Sequence, residues 1–431
     1  MLDATLIREH PDRVRAGLAA RGVDVDLDAF LALDAEYREV RSALEALRGT
    51  RKRLSARAAR AGDDPDAFEA VRREAREVGA RVKALDARLG ELARARADFL
   101  DPLPNLPDDD VVPGGKEANE VLRVVGGPQE HGSTPAFPAK DHVELTESLR
   151  LVDHVRGTKM SGSGFWAYTG NGALLEWALL NYFVDAHRRD GYTFVLPPHV
   201  LGEAAGYAAG QFPKFREDVF QVTGGAADAE EGRFLLPTSE TALIALHRDE
   251  TLPEQELPRR YFAYSPCYRS EIGGYRSTER GTLRGHQFQK VELVQFTHPD
   301  GSDAAFEELL AKAEALVAGL GLRYRVSKLA AGDLSGAMAR TYDVEVWLPS
   351  LGTYLEVSSV SNARDYQARR GGIRYRARHG GGGFVHTLNA SGLATSRLVP
   401  ALLEQFQQPD GSVRVPEVLH RFGIGPVLTP A

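Results

Sequence analysis

Two apolar seams in the first hundred residues constrain the fold more than any other feature of the sequence. Leu33, Tyr37, Val40, Leu44, Leu47, Arg51, Leu54 and Ala58 recur in alternating steps of four and three. After the turn-like AGDDPD (61–66), the pattern resumes at Val71, Ala75, Val78, Val82, Leu85, Leu89, Leu92, Arg96 and Phe99. A mean spacing of about 3.5 residues belongs to helices packed side by side along one face. The reading is therefore an antiparallel coiled-coil hairpin with arms of roughly 50 Å. DPLPNLPDDDVVPGGKE (101–117) cannot continue a helix. Beyond it, strand-like runs (TFVLPP, YFAYSPCYR, KVELVQFT, TYLEVSSVS) follow one another more often than they alternate with helices. The expected fold class is α+β: the N-terminal hairpin, residues 1–105, joined to an antiparallel β-sheet domain flanked by helices, residues 106–431.

The formal net charge of −7 over 431 residues gives no general attraction to nucleic acid. One stretch runs against it. RGTRKRLSARAAR (48–60) carries Arg48, Arg51, Lys52, Arg53, Arg57 and Arg60 with no acidic residue, at the far end of the hairpin. A structural or dimerising coiled coil is the plain reading of the heptads. A basic tip on an acidic chain adds what phosphate-backbone binding requires. Cys267 is the single cysteine, which excludes an intrachain disulfide and fits a reducing compartment. The start, with Asp3, Glu9 and Asp12, has no apolar core of signal-peptide length, and no run of about 18 apolar residues occurs. A cytoplasmic protein is expected.

Common nucleotide and metal signatures fail. There is no G-x-x-x-x-G-K-[ST], no CxxC and no HExxH, and TGNGALLEW lacks the third glycine of a dinucleotide fingerprint. KMSGS (159–163) resembles the class I synthetase lysine signature but lacks its His-rich partner and parallel sheet. YRSEIGGYRSTERGTLRGHQFQKVEL (268–293) is more informative. Arg269 on a strand offers phosphate a planar fork that cannot lose its charge. Glu271, two residues on, would face the same side and accept a hydrogen bond. Gly273, Gly274 and Gly281 let the loop close, and Arg276, Arg280 and Arg284 add positive charge. Taken alone, the stretch also describes an exposed, ion-paired hairpin.

That stretch resembles motif 2 of class II aminoacyl-tRNA synthetases in the form used by seryl-tRNA synthetases. The resemblance extends through nearly the whole chain. MLDATLIREHPDRVRAGLAARG with the hairpin resembles that family's tRNA-binding arm, and GYTFVLPPHV (191–200) resembles motif 1 of the dimer interface. LLPTSE (235–240), YLEVSSVSNARDYQARR and VHTLNASGLATSRLVPALLEQFQ resemble the Thr-x-Glu loop, the metal-and-ATP strand and motif 3. The resemblance implies a class II catalytic domain that activates L-serine with ATP and transfers it to tRNA(Ser), with tRNA(Sec) as a further candidate acceptor. It implies a homodimer and Mg²⁺.

By the same resemblance, Thr238, Ser239, Glu240, Glu292, Asn389 and Ser391 hold serine. Two carboxylates suit a desolvated ammonium. Arg269, Ser270, Glu271, Gly285, Glu356, Val357, Ser358, Ser359 and Arg397 hold ATP, with Arg269 and Arg397 catalytic. Glu356 and Ser359 hold the metal, as hard oxygen ligands suited to Mg²⁺. Arg48, Arg51, Lys52, Arg53, Arg57 and Arg60 meet tRNA. His286 is read as packed or hydrogen-bonded, since the reaction needs no base there. Three features depart from the family pattern. Gly285 stands where a larger residue is common, Ala390 where glycine is usual and would crowd a turn, and HGGGG (379–383) reads as a flexible surface connection.

Alternatives from other classes are an amino-acid:carrier-protein ligase, expected to lack the arm, and a non-enzymatic coiled-coil RNA-binding protein. The set Thr238, Glu240, Arg269, Glu356 and Arg397 speaks against the latter.

Overall fold

Two long helices, α1 (Leu27–Arg60) and α2 (Pro65–Leu100), form the N-terminal hairpin in the computed structural model. The structure describes residues 1–60, 65–126, 137–224, 232–271 and 280–430. Gly273, Gly274 and Arg276 of the motif 2 loop therefore lie outside the described residues. The chain divides into two compact units, one of Leu2–Ala19 with Val23–Leu103, the other of Met1, Ala20–Gly22 and Pro104–Ala431.

At 34 and 36 residues the helices are each about 50 Å long. Pro65 opens α2 in the first turn, where its missing amide hydrogen removes no intrahelical bond. Leu44, Leu54, Val71, Val78 and Val82 are buried along the seam, with Leu47, Ala58, Ala75, Leu85 and Leu89 packed beside them. Phe30 stacks on Phe99 with ring centroids 5.0 Å apart.

Two seam positions differ from the heptad reading. Arg51 is exposed, and Leu33 is only half-buried while its neighbour Asp34 is fully buried. Arg51 carries a charge that water solvates better than an apolar seam, and at residues 33–34 the buried position falls one residue later than the count places it. Asp34 is tolerated because three arginines surround it. Arg96 lies 2.7 Å from one carboxylate oxygen, and Arg8 and Arg38 lie 3.0 and 3.2 Å from the other. Arg96 also lies over the Tyr37 ring, 4.2 Å from its centroid.

The larger unit is built on an eight-stranded sheet. In chain order its strands are β1 (Glu120–Val125), β2 (Thr193–Val195), β3 (Arg259–Tyr268), β4 (Gln287–Thr297), β5 (Tyr324–Lys328), β6 (Arg340–Leu348), β7 (Thr353–Arg364) and β8 (His386–Ala394). In space they run β1-β5-β6-β7-β8-β4-β3-β2. Neighbours are antiparallel except β2, which lies parallel to β3 at the edge. The α+β architecture expected from the sequence is the one observed.

Helices α3 (Asn171–Arg189), α5 (Ser302–Gly319) and α7 (Thr395–Phe406) share one apolar cluster with Val291, Leu293, Val360, Leu388 and Ala390 of the sheet. Successive strand residues face opposite ways. Lys290, Glu292, Asn389 and Ser391 are thereby turned to the other face. There the short helices α4 (Ser239–Ala245) and α6 (Tyr366–Gly371) pack through Ile244 and Ala368 onto Val294 and Phe296. One face supplies the larger core, and the other carries the site beside a second apolar cluster.

The structure corrects two expectations. Ala390 is not in a turn: it is fully buried in mid-strand β8, opposite Leu293 and Val360, and its methyl group belongs to the core. The glycine run is not merely a surface connection, since Gly382–Phe384 forms a strand paired with Arg374–Arg376. A Cβ at Gly382 would come within 2.2 Å of the Tyr375 carbonyl, so the close approach requires glycine.

Asp34→Ala should cost roughly 2–4 kcal/mol in unfolding of the arm, because it strands positive charge around a buried site. Arg38 is about half exposed and can rehydrate, which keeps the cost from being larger. Chemical denaturation followed by circular dichroism measures it. A change under about 0.5 kcal/mol, the usual size of a surface substitution, would show the cluster to be inert.

Candidate active site

The site begins with charge compensation on β4. Lys290 and Glu292 lie two residues apart on the same face, and Lys290 Nζ is 2.6 Å from Glu292 Oε2. Glu292 is fully buried. Its register partner across β8 is Ser391, whose hydroxyl donates to Oε2 over 3.4 Å, while Asn389 Nδ2 donates to Oε1 at 2.9 Å. A buried carboxylate left alone would cost several kcal/mol. Here an ammonium, an amide and a hydroxyl share it.

Lys290 also donates to Thr238 Oγ1 at 2.6 Å. Thr238 caps α4, its hydroxyl accepting from the Glu240 amide at 3.2 Å. That cap holds the Glu240 carboxylate beside Glu292, where Gln367 Nε2 donates to it at 2.7 Å. Burial and then the nearby Glu292 push the Glu240 carboxyl up to about 7, despite Gln367 and Lys290. Thr238, Glu240, Glu292, Asn389 and Ser391 thus belong to one connected cluster, with Lys290 as the link. Ser239 does not join them: it is fully buried and its hydroxyl is paired with Ser265 at 2.6 Å.

The second part of the site lies where β3 ends. Arg269 follows the last strand residue, donates from Nε to the Pro237 carbonyl at 3.4 Å, and lies over Phe288 with its guanidinium 5.2 Å from the ring centroid. Strand alternation does not extend to Glu271, which has φ of 50°. The same-side argument from the sequence therefore fails. Glu271 instead accepts from Arg284 Nε at 2.6 Å. The Ser270 hydroxyl donates to the Glu217 carbonyl. His286 pairs with the Arg269 backbone, Nδ1 lying 3.0 Å from its carbonyl, and packs against Phe165 and Phe220. Gly285 has its missing side chain replaced from outside: a Cβ there would meet the Trp166 ring at 2.1 Å.

The third part joins β6, β7 and α7. Arg397 Nη1 donates to the Glu356 carbonyl at 3.0 Å and lies 3.5 Å from its Oε2. The Ser359 hydroxyl lies 2.5 Å from Asp343 Oδ1 and 3.1 Å from Glu356 Oε1. Burial and the adjacent Glu356 hold the Asp343 carboxyl well above the usual range. Low solvation also raises Glu356, but Arg397 and Arg269 prevail and keep it below its ordinary value. Val357 and Ser358 do not present side chains to the cleft. Val357 is in the core, and Ser358 donates to the Ser391 carbonyl at 2.6 Å.

Among the described residues no group of three or more His, Cys, Asp or Glu is arranged to hold a metal. Two carboxylates bridged by a hydroxyl still form a hard-oxygen set. It suits a Mg²⁺ that keeps waters and takes its remaining ligands from phosphate.

At the arm tip, Arg48 is paired with Glu45 and Asp86, and Arg57 with Glu74. Arg53 donates to Thr50, and Arg51, Lys52 and Arg60 are exposed.

Sequence reasoning missed Lys290, Asp343, Gln367 and Phe288. Lys290 was legible from its i, i+2 spacing to Glu292. Asp343 and Gln367 were not, because only the strand register (Asp343 opposite Ser359) and the placement of α6 bring them in.

Residues 220–406 match the tRNA synthetase class II core domain (G, H, P, S and T). The larger unit therefore carries the core of a class II aminoacyl-tRNA synthetase. Residues 1–107 match the seryl-tRNA synthetase N-terminal domain. The chain is 51% identical to Serine--tRNA ligase 2 of Clostridium acetobutylicum over 427 residues, covering 98% of this chain and 99% of that one. It is 42% identical to the Serine--tRNA ligase of Symbiobacterium thermophilum over 423 residues, with 98% of each covered. Among solved structures it is similar to seryl-tRNA synthetase from Pyrococcus horikoshii complexed with ATP, with TM-score 0.90, 32% identity and full coverage of both chains. The chain belongs to the seryl-tRNA synthetase family. Its activity is ATP-dependent activation of serine and transfer of the seryl group to tRNA.

The Glu240 carboxyl gives this site a pH signature. Below about pH 7 it carries a proton that an incoming ammonium must displace. The KM for serine should therefore fall as pH rises from 6, by at most about tenfold per unit, and level off above about 7.5. In the ligand-free protein the sign reverses. A carboxyl raised on folding contributes stability below its ordinary value of 4.5, and that contribution is lost as pH rises through about 7. A serine KM that stays flat from pH 6 to 8 in pyrophosphate exchange would contradict this.

Proposed function

We propose that the described residues divide the family's reaction as follows. Glu240, Glu292 and Thr238 receive the serine ammonium and hydroxyl, with Asn389 and Ser391 orienting Glu292 and Lys290 compensating its charge. The observation that supports this most is the pair of 2.6 Å contacts by which Lys290 bridges Thr238 to the fully buried Glu292 carboxylate. Arg269 and Arg397, which both act electrostatically on Glu356, take the phosphates of ATP. Phe288, under the Arg269 guanidinium, offers a flat apolar surface for the adenine. Serine's carboxylate then attacks the α-phosphate, pyrophosphate leaves, and a ribose hydroxyl at the tRNA 3′ end takes the seryl group from the adenylate. The protein's part is to position the reactants and meet developing charge with fixed donors.

Mg²⁺ belongs to the same proposal. Glu356 and Ser359 would hold it, with Asp343 behind them, and its chemistry when bound is neutralisation of phosphate charge. The homodimer is supported by the edge of the sheet. Phe194, Leu196 and Val200 along and beyond β2 are 43, 71 and 43% exposed, and Trp177 on α3 is 56% exposed. A second copy would cover them and give a particle of twice 47.1 kDa by light scattering. We assign residues 1–105 to tRNA binding and 106–431 to catalysis. The exposed Arg51, Lys52, Arg53 and Arg60 would serve tRNA(Ser), and a tRNA(Sec) presenting the same backbone would be charged too. Among the described residues no helix is long and apolar enough to cross a membrane, which fits the cytoplasmic location proposed.

Arg269→Ala should lower adenylate formation by about 10²–10³, the loss typical of one electrostatic stabiliser, with little change in melting. An exchange rate within threefold of the parent would remove Arg269 from the site.

Changing Arg51, Lys52 and Arg53 together to alanine should leave serine-dependent exchange intact and weaken tRNA binding. Its salt dependence should flatten by about 0.7–0.9 log units for each phosphate no longer neutralised. Because Arg51 is exposed, the arm should keep its melting transition. Unaltered binding and salt slope would show that the tip does not touch RNA.

A further inference from the structure

Glu176 lies on the opposite face of the motif 2 strand from the serine pocket and belongs to none of the motifs. It is 6% exposed, on the buried side of α3. Its Oε1 is 2.6 Å from the hydroxyl of Thr395, the first residue of α7, and Arg397 follows two residues later. The same Thr395 hydroxyl is 3.2 Å from the main-chain carbonyl of Gln289 on β4. The register between β4 and β8 ends at Lys290 opposite Ala394, and on the other neighbour Gln289 faces Pro266, which has no amide hydrogen. The Thr395 side chain thus bonds to a carbonyl just where the ladder stops.

Thr395 has one hydroxyl hydrogen and two oxygens within reach, the Glu176 carboxyl and the Gln289 carbonyl. If Glu176 is ionised, one of the two contacts lacks a proton. If Glu176 is the neutral acid, it donates to Thr395 Oγ1 and Thr395 donates to Gln289, so both contacts are made. The surroundings favour the acid. Among the described residues none is hydrogen-bonded to Oε2. The group lines a cavity of about 60 Å³ with Trp166, Tyr168, Gln287, Gln289 and Ser396. The titratable neighbours are the phenols of Tyr168, beside α3, and of Tyr264 on β3, and the Gln and Ser side chains carry no charge. Burial, opposed by the Thr395 bond, pushes the Glu176 carboxyl up to about 7.

We propose that Glu176 is a positioning residue acting as a neutral acid, pinning the start of α7 to the motif 2 strand so that Arg397 and Phe288 keep the spacing that ATP requires. Loss of its proton breaks one bond of the pair and loosens ATP binding while the serine pocket stays in place. The inference rests on the ATP role given to Arg397.

The test measures KM for ATP and for serine in pyrophosphate exchange between pH 6 and 8.5, for the parent, Glu176→Gln, Glu176→Ala and Arg397→Ala. An amide donates to Thr395 and cannot ionise. Glu176→Gln should match the parent within about threefold at pH 6.5 and lack the rise in ATP KM that the parent shows above about pH 7. Glu176→Ala should raise the ATP KM about tenfold at every pH, the scale of one buried hydrogen bond, and move the serine KM less than twofold. Glu176→Gln following the parent's pH curve, or impaired at pH 6.5, would overturn the proposal even if Glu176→Ala does not fold. So would a folded Glu176→Ala with a parental ATP KM. An unchanged ATP KM in Arg397→Ala would sink the Arg397 role itself, and with it the reason for the positioning.

Discussion

The pairing of β4 with β8 is the contact on which the rest of the site depends. It sets Glu292 opposite Ser391 and within reach of Asn389, and the same alternation sends Val291, Leu293, Leu388 and Ala390 into the helical core. A slip of one residue would exchange the two sets, burying charge among helices and exposing leucine to the cleft. The core therefore locks the register that makes the pocket. Ala390 shows how tightly the two are joined: a methyl group in the core separates two polar residues of the site.

Electrostatically the cleft is a series of carboxylates, each partly compensated. Glu292 is met by Lys290, Glu356 by Arg397, and Glu271 by Arg284. Among the described residues Glu240 and Asp343 have no cation in contact, and both are raised by burial and by a neighbouring carboxylate. These are the two places where the site is short of positive charge. They coincide with the positions proposed for the substrate ammonium and for Mg²⁺. Ligands that carry those charges complete the site's own pairing, which gives affinity without leaving ions buried and unpaired in the empty protein.

Much of this was legible in the sequence because it is local. The family resemblance pointed to Thr238 and Glu240, and the seams of α1 and α2 and the long strands follow from spacing within a few residues. Lys290 could have been found the same way, from its i, i+2 relation to Glu292. Asp343, Gln367 and the Glu176–Thr395–Gln289 chain could not, since strand register and helix placement bring them together from distant segments. Strand alternation failed at Glu271 because the strand ends at Tyr268 and the backbone turns left-handed. Heptad counting failed at Arg51, whose charge stays in water, and at residues 33–34, where three arginines let Asp34 take the buried position. Motif and pattern therefore located the site, while the paired strands and packed helices determined which side chains face it.

We propose that a buried Glu292, held by Lys290 and the β8 side chains, selects serine. Glu292→Gln is the direct test, since it keeps shape and removes charge. Pyrophosphate exchange should be measured with serine and alanine alongside direct ATP binding. Serine use should fall by about 10² or more, the preference for serine over alanine should collapse toward unity, and ATP affinity should change less than threefold. Serine activation and discrimination left at parental levels in that variant would contradict it.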